Sequence, residues 1–108
     1  MNIGQIAKMA QQMQTQMAQA QEELKETTLE ASAGGGAVRI VITGAQEVRH
    51  VEIDPSAVDS DEVEMLQDLV MTAMNEAIAR SKELERERMG RIAGSMGLPG
   101  MPGLPGFG

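Results

Sequence analysis

The first stretch of the chain places its apolar residues at heptad spacing. Ile3, Ala10, Met17 and Leu24 stand seven apart, and Ile6, Met13 and Ala20 supply the second seam position. Gln, Glu, Ala and Met fill most of the remaining positions, all good helix formers, and no proline interrupts them. The pattern predicts a helix over residues 3–26. A seam of Met and Ala packs weakly, and it suits either a coiled-coil partner or a neighbouring helix or sheet.

From Thr27 the period changes from helical to alternating. TTLEASA leads into Gly34-Gly35-Gly36, which can take positive φ and close a turn. In AVRIVIT, Val38, Ile40 and Ile42 share one face while Arg39, Val41 and Thr43 share the other, so this segment reads as a strand. Gly44-Ala45-Gln46 forms a second turn, and EVRHVEI makes a third strand that ends at Asp54-Pro55. Three short strands joined by glycine turns form an antiparallel meander, whose two edges stay open unless a partner covers them.

Asp59, Ser60 and Asp61 are expected to open a second long helix, with acids where the helix dipole favours them. It reads to about Ile92, on the order of 45 Å at 1.5 Å per residue. A three-stranded sheet is much smaller, so part of this helix projects beyond the body. Residues 1–93 then form a single domain. Residues 94–108, rich in Gly, Met and Pro, read as a disordered tail.

Composition changes the picture in one respect. Ile, Val, Leu and Phe together supply only about a fifth of the 108 residues, and one residue in the whole chain is aromatic. A chain this small and thin in core usually needs reinforcement, and with no cysteine that reinforcement is neither disulfide nor thiolate–metal. A second copy is the remaining candidate, so an oligomer is expected. In that assembly the meanders pair into a common core, closing the open edges and burying the Val38, Ile40 and Ile42 face.

Candidate chemistry is sparse. His50, the single histidine, lies between Arg49 and Val51 with no nucleophile in a matching pattern, and reads as a solvent-facing strand residue. Asp54, Asp59, Asp61, Glu62 and Glu64 lack the glycine and bidentate glutamate of a calcium loop, so capping and solvation explain them better. Gly34-Gly35-Gly36 lacks the Lys-Ser/Thr of a phosphate loop. The sequence therefore predicts no catalytic residue, no metal, no cofactor and no small-molecule substrate: not an enzyme. It also has no apolar run of the ~18 residues that a membrane span requires. A cytoplasmic protein that makes no use of membranes is the simplest reading.

Charge along the second helix is uneven. Val63, Leu66, Leu69, Val70, Ala73, Met74 and Ala77 share an arc that continues into Arg80, Leu84, Arg88 and Arg91. Residues 59–76 hold six acids and no base. Residues 80–91 hold Arg80, Lys82, Arg86, Arg88 and Arg91 against three glutamates, a net +2 in a chain of −7. Two readings fit. The helix end is either a solvated, salt-bridged terminus, with Glu83 and Glu85 pairing Arg86 and Arg88, or a face that admits something anionic.

The segment VRIVITGAQEVRHVEIDPSAVDSDEVEMLQDLVMTAMNEA resembles the YbaB/EbfC family of nucleoid-associated proteins. The shared features are a Met/Gln-rich first helix from Met9 to Met17, the Gly-rich turn, and Thr43-Gly44-Ala45. Val51-Glu52-Ile53-Asp54-Pro55-Ser56 follows, then Met65-Leu66-Gln67-Asp68-Leu69-Val70 and Asn75-Glu76-Ala77. The resemblance implies an α+β fold, sandwich-like, and a tweezers-shaped homodimer with helices as prongs. It implies binding of double-stranded DNA with little sequence preference, and a role in nucleoid organisation and gene expression. The family's contacts are carried by basic residues on the projecting helices, and here Lys8, Arg80, Lys82, Arg86, Arg88 and Arg91 fit. The first helix departs from that tendency, with only Lys8 and Lys25 against Glu22, Glu23, Glu26 and Glu30. The alternative is an acidic protein-interaction adaptor that works with DNA-handling proteins.

Overall fold

Helix, meander and helix follow one another along the chain in the expected order. The structure, a computed structural model, describes residues 2–95. Helix α1 spans Ile3–Glu26, strands β1, β2 and β3 span Thr28–Ala33, Val38–Thr43 and Val48–Ile53, and helix α2 spans Val63–Ser95. The strands form one antiparallel sheet in the order β1-β2-β3, with Ala31 opposite Ile40 and Ile40 opposite Val51. The expected tail falls mostly outside the described residues. Its first two positions, Gly94 and Ser95, belong to α2.

Each element starts and stops for a local reason. Asn2 and Gln5 close a reciprocal capping box on α1, the Asn2 carboxamide accepting from the Gln5 backbone N–H at 2.7 Å. Gly34, Gly35 and Gly36 all take positive φ, as a tight reversal between β1 and β2 requires. Between β3 and α2, the Asp54 carboxylate accepts from the backbone N–H and the hydroxyl of Ser56, both at 2.9 Å. Those two bonds hold its pKa below the ordinary aspartate value.

Helix α2 begins later than expected. Asp59 is spent on a separate turn: its carboxylate accepts from the Asp61 N–H and its carbonyl from the Glu62 N–H, both at 2.9 Å. The first helical bond then runs from the Leu66 N–H to the Glu62 carbonyl, and the helix ends three residues beyond Ile92. At 33 residues it is about 50 Å long, and it accounts for most of the 69 Å length of the molecule.

The core corrects the expectation that a second copy buries the β2 face. Val38, Ile40 and Ile42 are fully buried within the single chain, because α2 lies over β1 and β2 with Ala73 and Ala77 against the sheet. Two alanines one helical turn apart let the helix backbone settle close, so a few branched residues suffice. What remains uncovered is β3. Val48 and Val51 share a face with Ile42 and Ile40 by register, yet Val51 is 46% exposed.

A polar latch ties the β2–β3 turn to α2. The buried Ser81 hydroxyl donates to the Thr43 carbonyl at 2.6 Å and accepts from the Gln46 backbone and side-chain amides at 3.1 and 3.0 Å. Gln46, not a glycine, is the turn residue with positive φ (61°). That conformation is uncommon for a residue with a side chain, and the bonds to Ser81 hold it. Gly44 serves close packing instead. A Cβ there would lie 2.6 Å from Leu24 Cδ2 and 3.2 Å from both the Leu24 carbonyl and Leu84 Cδ2. Gly44→Ala is expected to lower stability by about 1–3 kcal/mol through overpacking, read as a reduced denaturant midpoint.

Candidate nucleic-acid interface

The basic end of α2 leaves the sheet at the latch. Up to Ser81 the helix is held over the strands. Leu84 meets Leu24 around Gly44, and further on Arg88 meets Glu23, so α1 and α2 run alongside each other as an antiparallel pair. The described part of α2 ends seven residues past Arg88, with Ala93 buried just before its end. Among the described residues the prong is two helices near the body, with the first turns of α1 beyond them.

The six expected contact residues do not converge on one surface. Arg80 donates from Nε to Glu76 at 2.9 Å and from Nη1 to the Glu30 carbonyl at 3.0 Å, tying α2 to β1. Arg88 donates to Glu23 at 2.8 Å, and its side chain is 24% exposed. These two lie on the arc that the sequence suggested as an open anion-binding face. That arc is occupied by β1 at Arg80 and by α1 at Arg88, and it opens to solvent at Arg91. Arg86 pairs with Glu83, and Arg91 approaches Glu87 at 3.9 Å across a mostly exposed pair. Arg88 thus pairs across the helices and not with Glu85.

Lys82 and Lys8 have no carboxylate within ion-pair distance among the described residues. Lys82 and Arg86, four apart, form an outward ridge of two adjacent cations on α2. Lys8 lies on the polar side of α1 beside Gln11, Gln12, Thr15 and Gln16. His50 is exposed on β3, as the sequence suggested. The exposed pairs on α2 are worth about 0–1 kcal/mol each in water, so a phosphate can displace their carboxylates at small cost.

This architecture is shared with known proteins. The chain matches the YbaB/EbfC DNA-binding family over residues 1–96. It belongs to that family. A nucleoid-associated protein of Acetivibrio thermocellus is 50% identical over 96 residues, covering 89% of this chain and 85% of its relative. One from Moorella thermoacetica is 50% identical over 102 residues, covering 92% and 98%. Among solved structures, the uncharacterized protein HP0035 from Helicobacter pylori superposes with a TM-score of 0.72 at 25% identity, covering 81% of this chain and 91% of that one.

For a member of the YbaB/EbfC family, the arrangement separates two kinds of cation. Arg88, whose side chain is 24% exposed, braces the prong, and Arg80 ties α2 to β1 below it while staying half exposed; Lys8, Lys82, Arg86 and Arg91 stand toward solvent. Sequence reasoning missed the braces, Glu23 and Glu30 above all, because each lies at least fifty positions from its arginine. It also missed the latch. Ser81 was the one available signal, a polar residue one turn beyond Ala73 and Ala77 on an apolar arc.

Proposed function

We propose that the protein binds duplex DNA with little sequence preference, through phosphate contacts from the outward cations of its prongs. The observation that carries this reading is the position of residues 80–91. All cations of this stretch but Arg80, namely Lys82, Arg86, Arg88 and Arg91, lie beyond the Ser81 latch, on the part of α2 that leaves the sheet of this −7 chain. An acidic body keeps polyanions away from the rest of the surface, while an exposed basic ridge attracts them. Lys and Arg spaced along a helix suit phosphate contact and release of counterions. With no aromatic residue outside the terminal Phe107, base stacking has no platform.

Lys82, Arg86 and Arg91 on α2 are the proposed phosphate ligands, with Lys8 adding a contact from α1. Arg80 and Arg88 act indirectly, by holding the helices that carry the others. Dimerisation belongs to the same reading. A second copy covers Val48 and Val51 on β3, the uncovered part of the sandwich, and so sets two prongs on one body. In a cell such a protein resides with the nucleoid in the cytoplasm, where it affects DNA organisation and gene expression, in keeping with the nucleoid-associated names of its relatives.

The test is a fluorescence-anisotropy titration with two duplexes of unrelated sequence at low ionic strength. Binding to both with affinities within about threefold supports the reading. Retention of a protein partner after nuclease treatment, without DNA binding, would favour an adaptor.

A further inference from the structure

The seam of α1 continues past the point where α2 covers it. Ala20 and Leu24 are buried against the rest of the chain, but Met17, Ile6 and Ile3 are 42, 52 and 84% exposed on the same heptad stripe. The helix is nevertheless complete to its first residue and capped there. Among the described residues Met9 and Met13 are half-buried while Ile3, Ile6 and Ala10 stay exposed. A lone helical tip this short is marginal in water, so packing onto another surface would stabilise it.

We infer that the tip of α1 pairs in antiparallel fashion with the α1 tip of a second copy, through an interface separate from the body. Two observations select a second copy as the occupant. The first is self-complementarity. When α1 is set antiparallel to itself, Ile6 of each copy faces Met17 of the other and Ala10 faces Met13, so a small residue lies opposite a large one at the centre. The second is charge. Between Ile3 and Gln21 the only charged residue is Lys8, and it stands at the heptad position opposite the seam. Two tips therefore meet without like charges in contact, although each chain carries −7. Self-complementarity and charge select the occupant; with only four layers of side chains the contact is small against the roughly 1,200 Å² of a stable interface, so it forms where copies are held close together.

Lys8 faces outward from such a pair and stays available to solvent. The pairing does not depend on DNA binding. If both hold, molecules bound along or across duplexes become linked tip to tip.

The chain has no cysteine, so single substitutions report the geometry directly. Full-length I6C and M17C chains, mixed in equal amounts and treated with a short bismaleimide in the absence of DNA, are expected to give the mixed I6C–M17C product. Its yield should exceed either homotypic product several-fold, and Ala10→Glu in both chains should abolish it. A mixed yield no higher than that of an I6C chain with an E64C control would overturn the pairing. Homotypic products dominating, or mixed product surviving Ala10→Glu, would overturn it equally. Because the readout contains no DNA, its failure leaves the duplex-binding reading to be judged separately.

Discussion

Ile40→Ala is expected to bring the domain close to unfolding. Ile40 is fully buried at the centre of β2, opposite Ala31 on one side and Val51 on the other, beneath Ala73 and Ala77 of α2. Ala31 on β1 and the buried Ala73 and Ala77 on α2 have short side chains that cannot swing in to fill the gap. Large-to-small core changes of this kind cost about 2–5 kcal/mol, toward the upper end where the site cannot collapse. A domain of this size has a total of about 5–15 kcal/mol, and the thin core places it low in that range. In urea titration the midpoint should fall sharply with little change in slope. Val51→Ala is the informative contrast. It removes a side chain opposite Ile40 in the same layer, but one that is half exposed in the single chain. Its cost should be well under half as large unless a second copy covers it, and should then grow with protein concentration.

The second large effect concerns DNA. Neutralising the outward cations with K8Q, K82Q, R86Q and R91Q together should weaken duplex binding by at least tenfold at low ionic strength. Thermal stability should stay within a few degrees of the parent, since exposed ion pairs contribute little. The complementary variant, R80Q with R88Q, should show the reverse order of effects. Arg80 holds α2 to the β1 carbonyl of Glu30, and the partly buried Arg88 joins the two helices through Glu23. Their loss should lower the melting temperature and loosen the prong, as read by amide exchange in residues 82–95, before it affects phosphate binding. Equal DNA binding by the fourfold variant and the parent would sink the proposed ligand set.

Most of the fold is legible in the sequence because its signals are local. Val38, Ile40 and Ile42 alternate with Arg39 and Val41, and that pattern alone identifies a half-buried strand. The heptad from Ile3 to Leu24 predicts a helix from residue 3 to about 26, and α1 spans Ile3–Glu26. The same pattern cannot say which partner the seam meets, and the structure divides it between α2 for Ala20 and Leu24 and solvent for Ile3, Ile6 and Met17. The start of α2 differs from the expected one for a physical reason. Asp59 offers a capping carboxylate wherever the chain turns, and here an earlier turn takes it. The positive φ of Gln46 has no sequence signature, since it rests on a serine 35 positions away.

The site is less legible than the fold. A helix end rich in arginine shows in the charge count, but whether each guanidinium is spent or available depends on tertiary contacts. Of the arginines on the arc that looks most favourable in the sequence, Arg80 and Arg88 are tied to β1 and α1, and Arg91 is left largely to solvent. Burial of the β2 face by α2 likewise removes it as the expected dimer surface and leaves β3 as the proposed one. Both shifts follow from one fact that the sequence leaves open, namely where α2 sits on the sheet.

The salt dependence of duplex binding tests the central claim most directly. Each phosphate that a cation neutralises, releasing counterions, contributes about −0.9 to the slope of log K against log salt concentration. The parent protein should show a steep linear fall. K82Q with R86Q should give a slope shallower by about 0.9 for every phosphate left without its cation, on duplexes of either sequence. Identical slopes for parent and variant, or an affinity indifferent to salt, would contradict phosphate binding by the basic end of α2.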